Sequence, residues 1–497
     1  MITTLLSLLD GPLPDLVALG EPTHREPGFA RLRNRLLTAL AQRGVRSVAI
    51  ESDATAAPAV DGYVRSGEGT LSEVLDHGFS HGLGAHAANR ELLARLRISN
   101  EELPPEDRIA FHGFDAPTES ESAPSPRRHL EQLCRYLGEP VPEHLLGDDA
   151  PWADPAAQND AARSVGRSAA ARELRVVADD LVLRLHARAP ELVASTCADS
   201  WHAAATHARA ALGLLLYHAV AAEPGPARFA RLMGTRDALM AENLLAIRAR
   251  ERHRGPTLVF AHNGHLQRTP GRWQDVCWWP AGAIVAATGT ERYRFVAGSL
   301  GASAAVGLGE PAPGTFEHAL ADAPVRAGWV PDLRERDDVR PEHGYLPLTR
   351  DTLEGADAVL HLTGPQAAPE DAGAQGLAAR ILAAFPRSAY VRAGDGAPEV
   401  ARGDRFFSAT SASRVPFATI VHRDHPGHDE AGRLDRPGVF RLNIGAARAT
   451  APDADPAALD TWLPHPTYRG WSCILNPSRE RLPEIDALLA RARARAR

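Results

Sequence analysis

Acids and histidines follow four short apolar stretches of this chain, at the positions where buried strands would end. These stretches lack alternation and are separated by segments of helix length, which predicts parallel strands buried on both faces. Ligands of such sheets bind beyond the carboxyl ends of the strands. If the four strands are neighbours, one crevice collects six side chains: Glu21, His24, Glu51, Asp115, His262 and His265. This set offers general bases and carboxylates without a cysteine or lysine nucleophile.

The composition excludes several other chemistries. All 55 basic residues are arginine, so Schiff-base chemistry and phosphate-loop or kinase-type lysines are excluded. The four cysteines are far apart and form no CxxC pair, which disfavours a disulfide framework or a thiolate zinc site. A net charge of -7 argues against broad nucleic-acid binding. No apolar run approaches about 18 residues and no secretory signal is evident, so we expect a cytoplasmic protein without a membrane span.

The order of the predicted elements indicates an α/β fold with a second, smaller domain. Residues 1–363 form the α/β domain, with a parallel-rich central sheet, flanking helices and a helical insertion at about 121–252. Residues 364–375 are rich in proline, glycine and alanine and are predicted to be a linker. Residues 376–497 are predicted to be a small C-terminal α+β domain. The apolar run at 282–287 is predicted to be a further strand of the large sheet.

The turn after the first strand carries the strongest candidate for a general base. His24 has an ordinary pKa near neutrality and can take a proton from water, and Glu21 can fix its tautomer. Glu51, at the end of another strand, would add a second carboxylate beside it. This predicts a pH–rate profile with a basic limb near neutrality. The alternative is structural, because Thr23 or Glu26 in the same turn could simply cap the helix that follows.

A second histidine pair follows a later strand, in the motif His262-Asn263-Gly264-His265. Gly264 allows a tight turn there. The two imidazoles could bind a metal, polarise a carbonyl or act as an acid. In a chain with 21 histidines this spacing also arises by chance, so the position after a strand gives the motif its weight.

Three further polar residues are candidates for contacts with a ligand. Arg236 interrupts the apolar face of a predicted helix, either as a partly buried ion pair with a sheet carboxylate or as a clamp for an anion or substrate. Asp115 could be a helix cap or an acid of the site. His81 lies in a glycine-rich loop, residues 76–86, which either lines the site or only connects two elements.

Taken together, these motifs resemble the erythromycin esterase family over about residues 14–362. The C-terminal domain resembles a small actinobacterial family of unknown function, through residues 433–440 and 463–466. The first resemblance rests on six sequence features: Leu19-Gly20-Glu21-Pro22-Thr23-His24, Arg33, Ala49-Ile50-Glu51, Gly113-Phe114-Asp115, Arg236-Asp237 with Asn243, and Ala261-His262-Asn263-Gly264-His265.

The resemblance implies a hydrolase in which a histidine activates water for attack on a macrolide ester. At matching positions it implies a catalytic set: His24 as general base, with Glu21, Glu51, Arg33, His262 and His265. The residues expected to contact the substrate are Arg236, Asp115, His81 and Asn263. Two departures affect the expected substrate. Arg25 stands where the family often has glycine, and the loop at 78–84 has none of the tryptophans common there.

The leading hypothesis is therefore hydrolysis of an ester or lactone, macrolide-like or another bulky small molecule, without a cofactor. In it, Arg33, His262 or His265 stabilises the oxyanion. One alternative is a hydrolase that holds a divalent metal with the same histidines and glutamates. Another is a tailoring enzyme of secondary metabolism that transfers an acyl group, in contrast to an antibiotic-resistance hydrolase. The expected partner is a small-molecule substrate, with no nucleic acid and no membrane; the sequence indicates no oligomeric state.

Overall fold

The computed structural model divides the chain into two compact units. The first contains residues 1–61, 77–86 and 106–367, and the second contains residues 62–76, 87–105 and 368–497. The boundaries predicted at 364–375 stay a prediction, because residues 365–370 of that linker lie outside the described part. The described residues are 2–119, 122–273, 276–322, 325–327, 333–364, 371–394, 397–425, 427, 430, 432–448 and 454–496.

The described strands form two main sheets and one short hairpin. The strands of the large sheet are β1 (Leu16–Glu21), β2 (Ser47–Asp53), β3 (Ala110–Asp115), β4 (Thr257–His262), β7 (Tyr293–Leu300), β8 (Val325–Arg326) and β9 (Ala358–Leu362). The hairpin consists of β5 (Gly271–Trp273) and β6 (Val276–Trp278). The strands of the second unit are β10 (Ala389–Arg392), β11 (Arg405–Ser408), β12 (Ala418–Val421), β13 (Arg441–Ile444), β14 (Trp462–Pro464) and β15 (Ser472–Leu475).

Helices account for much of the remaining described chain. They are α1 (Ile2–Ser7), α2 (Pro27–Ala41), α3 (Ala57–Ser66), α4 (Leu71–His77), α5 (Ala87–Asn100), α6 (Arg127–Leu137), α7 (Glu143–Leu146), α8 (Ala169–Ala187), α9 (Ala189–Ser195), α10 (Ala198–Ala221), α11 (Arg228–Glu251), α12 (Asn263–Leu266), α13 (Ala281–Thr288), α14 (Phe316–Leu320), α15 (Arg350–Glu354), α16 (Ala374–Ala384) and α17 (Leu482–Arg495). Within the described residues, none of them combines the length and the apolar character needed to cross a membrane.

The large sheet has the strand order β3-β2-β4-β1-β7-β9-β8, and only the edge strand β8 runs antiparallel to its neighbour. The four strands expected to carry the site are therefore adjacent, which confirms the predicted parallel-rich sheet. In the β1–β4 register Glu21 lies opposite His262, so the ends of these two strands are level. A register shift between Ile50 and Asp53 interrupts the pairing of β2 with β3 beside Glu51.

Helix α11 covers the part of the sheet from which the site residues project. Met240 and Leu244 on this helix are fully buried in a core that includes Val259 of β4 and Phe295 of β7. Burying such side chains contributes about 1.5–3 kcal/mol each. This packing fixes the height of the helix above the strand ends. The polar residues on the same helix are therefore held firmly over the sheet.

The predicted helical insertion lies between β3 and β4 and has its own apolar core. The helices α6 to α11 occupy this stretch, and Leu130, Leu174, Leu181 and Leu215 are buried among them. The prediction of a strand at 282–287 was wrong, because this segment belongs to α13. A short apolar run does not distinguish a buried strand from a buried helix.

The second unit contains a six-stranded antiparallel sheet with the order β10-β11-β12-β13-β15-β14. Sheet residues such as Phe407, Ile420 and Leu442 are buried, as are Ile381 of α16 and Ile485 of α17. This confirms the small C-terminal α+β fold expected from the sequence.

Candidate active site

The turn after β1 places His24 beside a buried carboxylate. Glu26, rather than His24, caps α2 by accepting the N–H of Gly28 at 3.0 Å. Thr23 Oγ1 accepts the N–H of Arg25 within the turn. His24 is therefore not needed to cap the helix, and its imidazole is available for chemistry.

Glu21 orients the imidazole of His24. Its Oε1 lies 2.8 Å from His24 Nδ1, and the Glu21 side chain is only 6% exposed. The His24 side chain is 38% exposed, and its Nε2 lies 3.7 Å from Glu51 Oε1. This separation is longer than a hydrogen bond, so Nε2 is the ring nitrogen that can meet a water molecule.

The carboxylate of Glu51 is contacted by side chains and a backbone N–H from three other residues of the site. Its Oε1 lies 3.1 Å from Arg236 Nη2 and 3.4 Å from His265 Nε2. Its Oε2 accepts the backbone N–H of His262 at 2.8 Å. The carboxylate is 5% exposed, so its charge is held by protein groups rather than by bulk water.

Arg236 bridges Glu51 and the carboxylate of Asp115. Its Nε and Nη2 donate to the two oxygens of Asp115 at 3.0 and 2.6 Å, which is a bidentate arrangement. Asp115 is fully buried at the end of β3 and also accepts the N–H of Ala116. No helix begins directly after Asp115, so it does not act as a helix cap.

His265 has a carboxylate partner of its own. Its Nδ1 lies 2.7 Å from Asp237 Oδ1, while its Nε2 faces Glu51 and lies 3.4 Å from Arg236 Nη1. Asp237 was not among the predicted site residues, although the Arg236-Asp237 pair is part of the family motif. The signal that could have identified it is a second charged residue on the predicted buried face of a helix.

Both ring nitrogens of His262 are engaged by the backbone. Nδ1 accepts the N–H of Gly264 at 3.1 Å, which requires the proton of a neutral ring to sit on Nε2. Nε2 then donates to the carbonyl oxygen of Pro22 at 3.1 Å. His262 therefore links the turns after β1 and β4.

Two other predicted residues lie around this cluster. His81 Nε2 is 2.9 Å from Asp115 Oδ2, and His81 has a positive φ of 55°, which is uncommon outside glycine. Arg33 is buried, donates to Asn34 Oδ1 and lies 4.8 Å above the ring of Phe260.

Asn263, the remaining predicted residue, acts on the sheet itself. Its amide donates to the Gly298 carbonyl at 2.8 Å and accepts the Gly298 N–H at 2.9 Å. It lies so close to Gly20 that a Cβ at that glycine would be 2.2 Å from Asn263 Oδ1. In this arrangement Asn263 joins β4 to β7 across β1, and its amide is already committed.

The carboxylates control the charge of the imidazoles. Burial disfavours the charged form of His24, but Glu51 and Glu21 outweigh this effect and raise the pKa of His24 to about 9. Burial also works against a charged His265, yet Asp237 and Glu51 raise the pKa of His265. We therefore expect His24 to be mostly in the charged form at neutral pH in the free site, and His265 to hold its second proton more firmly than an ordinary histidine.

The pKa values of the two glutamates of the site, Glu51 and Glu21, are shifted in opposite directions. Burial alone would raise the pKa of Glu51, but His265, His24 and Arg236 hold it well below its usual range. For Glu21, burial outweighs the opposing effect of His24, so its pKa is raised. Glu51 is therefore the permanent negative charge between the two imidazoles.

The acids of the cluster are paired with protein cations and imidazoles. Among the described residues, no group of three or more His, Cys, Asp or Glu side chains has a geometry suited to hold a metal ion. The cation that lies between Glu51 and Asp115 is the guanidinium of Arg236.

A mostly parallel sheet with a histidine–carboxylate cluster at its strand ends defines an α/β enzyme site. The erythromycin esterase family model matches residues 40–362, so the chain belongs to this family. A family of unknown function (DUF6194) matches residues 376–497. The match to the esterase family begins after Glu21 and His24 and includes Glu51, Arg236 and His265.

Two solved structures share the fold of the chain. One is a histidine-to-asparagine mutant of the erythromycin esterase EreC in its open conformation, which is 20% identical with a TM-score of 0.53. The alignment covers 73% of this chain and 93% of that one. The other is a Bacillus cereus protein, 16% identical with a TM-score of 0.54, covering 73% of this chain and 91% of that one.

No curated protein matches the chain. The family nevertheless supports a hydrolase of the esterase type that acts on a small molecule.

Proposed function

We propose that this protein hydrolyses an ester or lactone by means of a water molecule activated by His24. The observation that carries the proposal is the contact of Glu21 with His24 Nδ1, which leaves the Nε2 of a partly exposed imidazole free to take a proton. Glu51 lies near that nitrogen and favours the imidazolium formed when the proton arrives.

The negative charge that develops on the attacked carbonyl needs donors fixed in advance. Arg33, His262 and His265 were the candidates from the sequence. Arg33 bonds Asn34, and His262 bonds Pro22 and Gly264, so His265 is the better placed of the three. Arg236 adds a permanent positive charge beside it.

The substrate class is an ester or lactone of a bulky small molecule, with macrolides as the first candidates. The family match supports this class, while the loop at 78–84 suggests that the preferred compound differs from that of relatives with tryptophans there. A thermal-shift screen of macrolides and other lactones would identify it. A shift with another class of lactone and with no macrolide would exclude macrolide resistance as the role.

The mechanism is tested by single-turnover hydrolysis of a compound found in that screen, carried out in water enriched in ¹⁸O. We expect one ¹⁸O atom in the carboxylate product and a loss of about 10²–10⁴-fold in the single-turnover rate constant for His24→Asn. The matched control is His253→Asn, which replaces an exposed histidine. Product without ¹⁸O would favour acyl transfer to an internal nucleophile, and full activity of His24→Asn would contradict the assignment of the base.

We also expect hydrolysis to need no metal, in contrast to the alternative with a divalent ion. Purification without added metal, elemental analysis and chelation distinguish the two mechanisms. Stoichiometric metal whose removal abolishes hydrolysis and whose return restores it would favour the metal-dependent alternative.

A further inference from the structure

We propose that Asp237 and His265 form a second carboxylate–imidazole pair, in which His265 Nε2–H protonates the leaving alkoxide. The proposal rests on the hydrolysis proposed above and adds the acid to the base already assigned. Asp237 would be a positioning residue, since it acts through His265 rather than on the substrate.

The surroundings of Asp237 fix its orientation. The residue is fully buried, and three donors meet its two oxygens. Oδ1 accepts from His265 Nδ1 at 2.7 Å and from the N–H of Ala281 at 3.0 Å. Oδ2 accepts from Trp278 Nε1 at 2.8 Å. A carboxylate bonded in this way cannot rotate freely, so it sets the plane of the imidazole and keeps Nδ1 protonated.

The other nitrogen of His265 faces the centre of the site. His265 Nε2 and His24 Nε2 approach the same oxygen, Glu51 Oε1, at 3.4 and 3.7 Å. Two imidazoles, each held at Nδ1 by its own acid, thus turn their Nε2 atoms to one carboxylate. This arrangement places a base and an acid on one reacting centre.

The two imidazoles differ in their exposure to solvent and in the charged groups that surround them. The His24 side chain is 38% exposed, whereas the His265 side chain is 8% exposed. Near His265, the guanidinium of Arg236 pairs with the carboxylates of Glu51 and Asp115, whereas the carboxylate of Asp237 pairs with His265 itself. When His265 Nε2 carries no proton, it accepts from Arg236 Nη1 at 3.4 Å. When it is protonated, the N–H faces Glu51 Oε1, and the raised pKa of His265 favours this charged form. His24 is therefore the imidazole that meets water, whereas the Nε2 of His265 is shielded from bulk water and faces Glu51.

The proton balance of the reaction closes with these two groups. His24 takes a proton from water as the oxygen adds to the acyl carbon. The C–O bond to the alcohol then breaks, and the alkoxide takes the proton from His265 Nε2. The carboxylic acid product returns a proton to His265 and leaves as the carboxylate, and His24 releases its proton to solvent. The net reaction converts ester and water into carboxylate, alcohol and one proton.

The test uses two esters with the same acyl group, a 4-nitrophenyl ester and a methyl ester. A nitrophenolate leaves without protonation, whereas methoxide needs an acid. We expect Asp237→Asn and His265→Gln to lower kcat/KM for the methyl ester by about 10²-fold or more, and for the nitrophenyl ester by less than about tenfold. Trp278→Phe, which removes one donor to Asp237 but keeps the carboxylate, should lower both by a similar small factor. His24→Asn should reduce both strongly, so failure of the base and failure of the acid are distinguishable.

An equal loss on both esters in Asp237→Asn and His265→Gln would overturn the proposal. If neither ester is turned over, or if Asp237→Asn does not fold, ¹⁵N and ¹H spectra of the wild type and of Trp278→Phe decide. We expect a His265 Nδ1–H signal that is shifted downfield and exchanges slowly in both proteins. It is assigned by its loss in His265→Gln. Absence of such a signal in the wild type would contradict a pair held by Asp237.

Discussion

A histidine lies at the carboxyl end of each of the central strands β1 and β4, yet the two imidazoles have opposite electrostatics. The ring centroids of His24 and His262 are 5.7 Å apart. The pKa of His24 is raised to about 9, whereas burial and the nearby charge of His24 lower the pKa of His262 to about 4. Burial acts in the same direction on both rings, so burial alone does not explain the difference.

The difference comes from the partners of the ring nitrogens. Carboxylates of Glu21 and Glu51 surround His24, and a carboxylate stabilises the charged imidazole. His262 meets an N–H group and a carbonyl oxygen, which suit the neutral ring. A histidine at a strand end is therefore a candidate base only where acids stand beside it. His262 therefore has a structural role: it holds the backbone at Pro22 and Gly264 beside His24 and His265.

The largest effect should follow from removing the cation that holds the acids together. Arg236→Met would leave Glu51 and Asp115 buried without their shared partner, so we expect a loss of about 3–5 kcal/mol in the free energy of unfolding. Urea denaturation measures this loss. The matched control is Arg231→Met on the same helix, whose exposed ion pair with Glu223 is worth about 1 kcal/mol or less. If both variants lost equally little stability, Arg236 would not be the group that neutralises the buried acids.

The pH–rate profile tests whether the neighbouring carboxylates raise the pKa of His24. Because the pKa of His24 is about 9, only a minority of the site has the free base at pH 7. We expect kcat/KM to rise about tenfold per pH unit and to level off near pH 9, rather than near neutrality as expected from an unperturbed histidine. Glu21→Gln should move this limb to lower pH and lower the plateau. A wild-type limb near pH 6.5 that Glu21→Gln does not move would contradict control by the carboxylates.

Sequence patterns were sufficient for the sheet that carries the site. The four apolar runs are short enough to favour strands over helices, and they form adjacent strands of the large sheet. The run at 282–287 has the same length but is helical, because α13 begins at Ala281 after Pro280 and Ala281 donates its N–H to Asp237. That hydrogen bond links residues 44 positions apart, so the local sequence around residue 281 does not predict it.

The site residues were predictable by type and position but not by partner. Sequence order indicated that Glu51 and His265 meet at one edge, because parallel strands end together. It did not indicate that the Asn263 amide is committed to Gly298, or that both nitrogens of His262 are committed to backbone groups. These roles depend on distances between segments far apart in the chain. Residues 62–76 and 87–105 belong to the second unit. Their amino-acid composition does not distinguish them from the flanking residues of the first unit, so the sequence did not predict this assignment.

The smallest effect concerns His262 and the stability of the protein in acid. Because the folded pKa of His262 lies below the ordinary value of about 6.5, the unfolded chain binds more protons between about pH 6.5 and pH 4. Stability is therefore present above this window and is lost as the pH falls through it. His24 has the opposite sign, since its raised pKa stabilises the fold below about pH 6.5 and this contribution is lost as the pH rises through about 9.

We expect His262→Asn to lose about 1–2 kcal/mol at pH 8, because the donor to the Pro22 carbonyl is absent while Asn can still accept from Gly264. Between pH 8 and pH 5 its stability should fall less than that of the wild type, by on the order of 1 kcal/mol. The remaining acid sensitivity comes from other histidines whose pKa values burial lowers, including His129 and His361. Urea denaturation at both pH values gives the slopes, with His262→Gln as the variant that can still donate to Pro22. Equal slopes in His262→Asn and the wild type would mean that His262 is charged in the folded protein, and the contrast with His24 would then disappear.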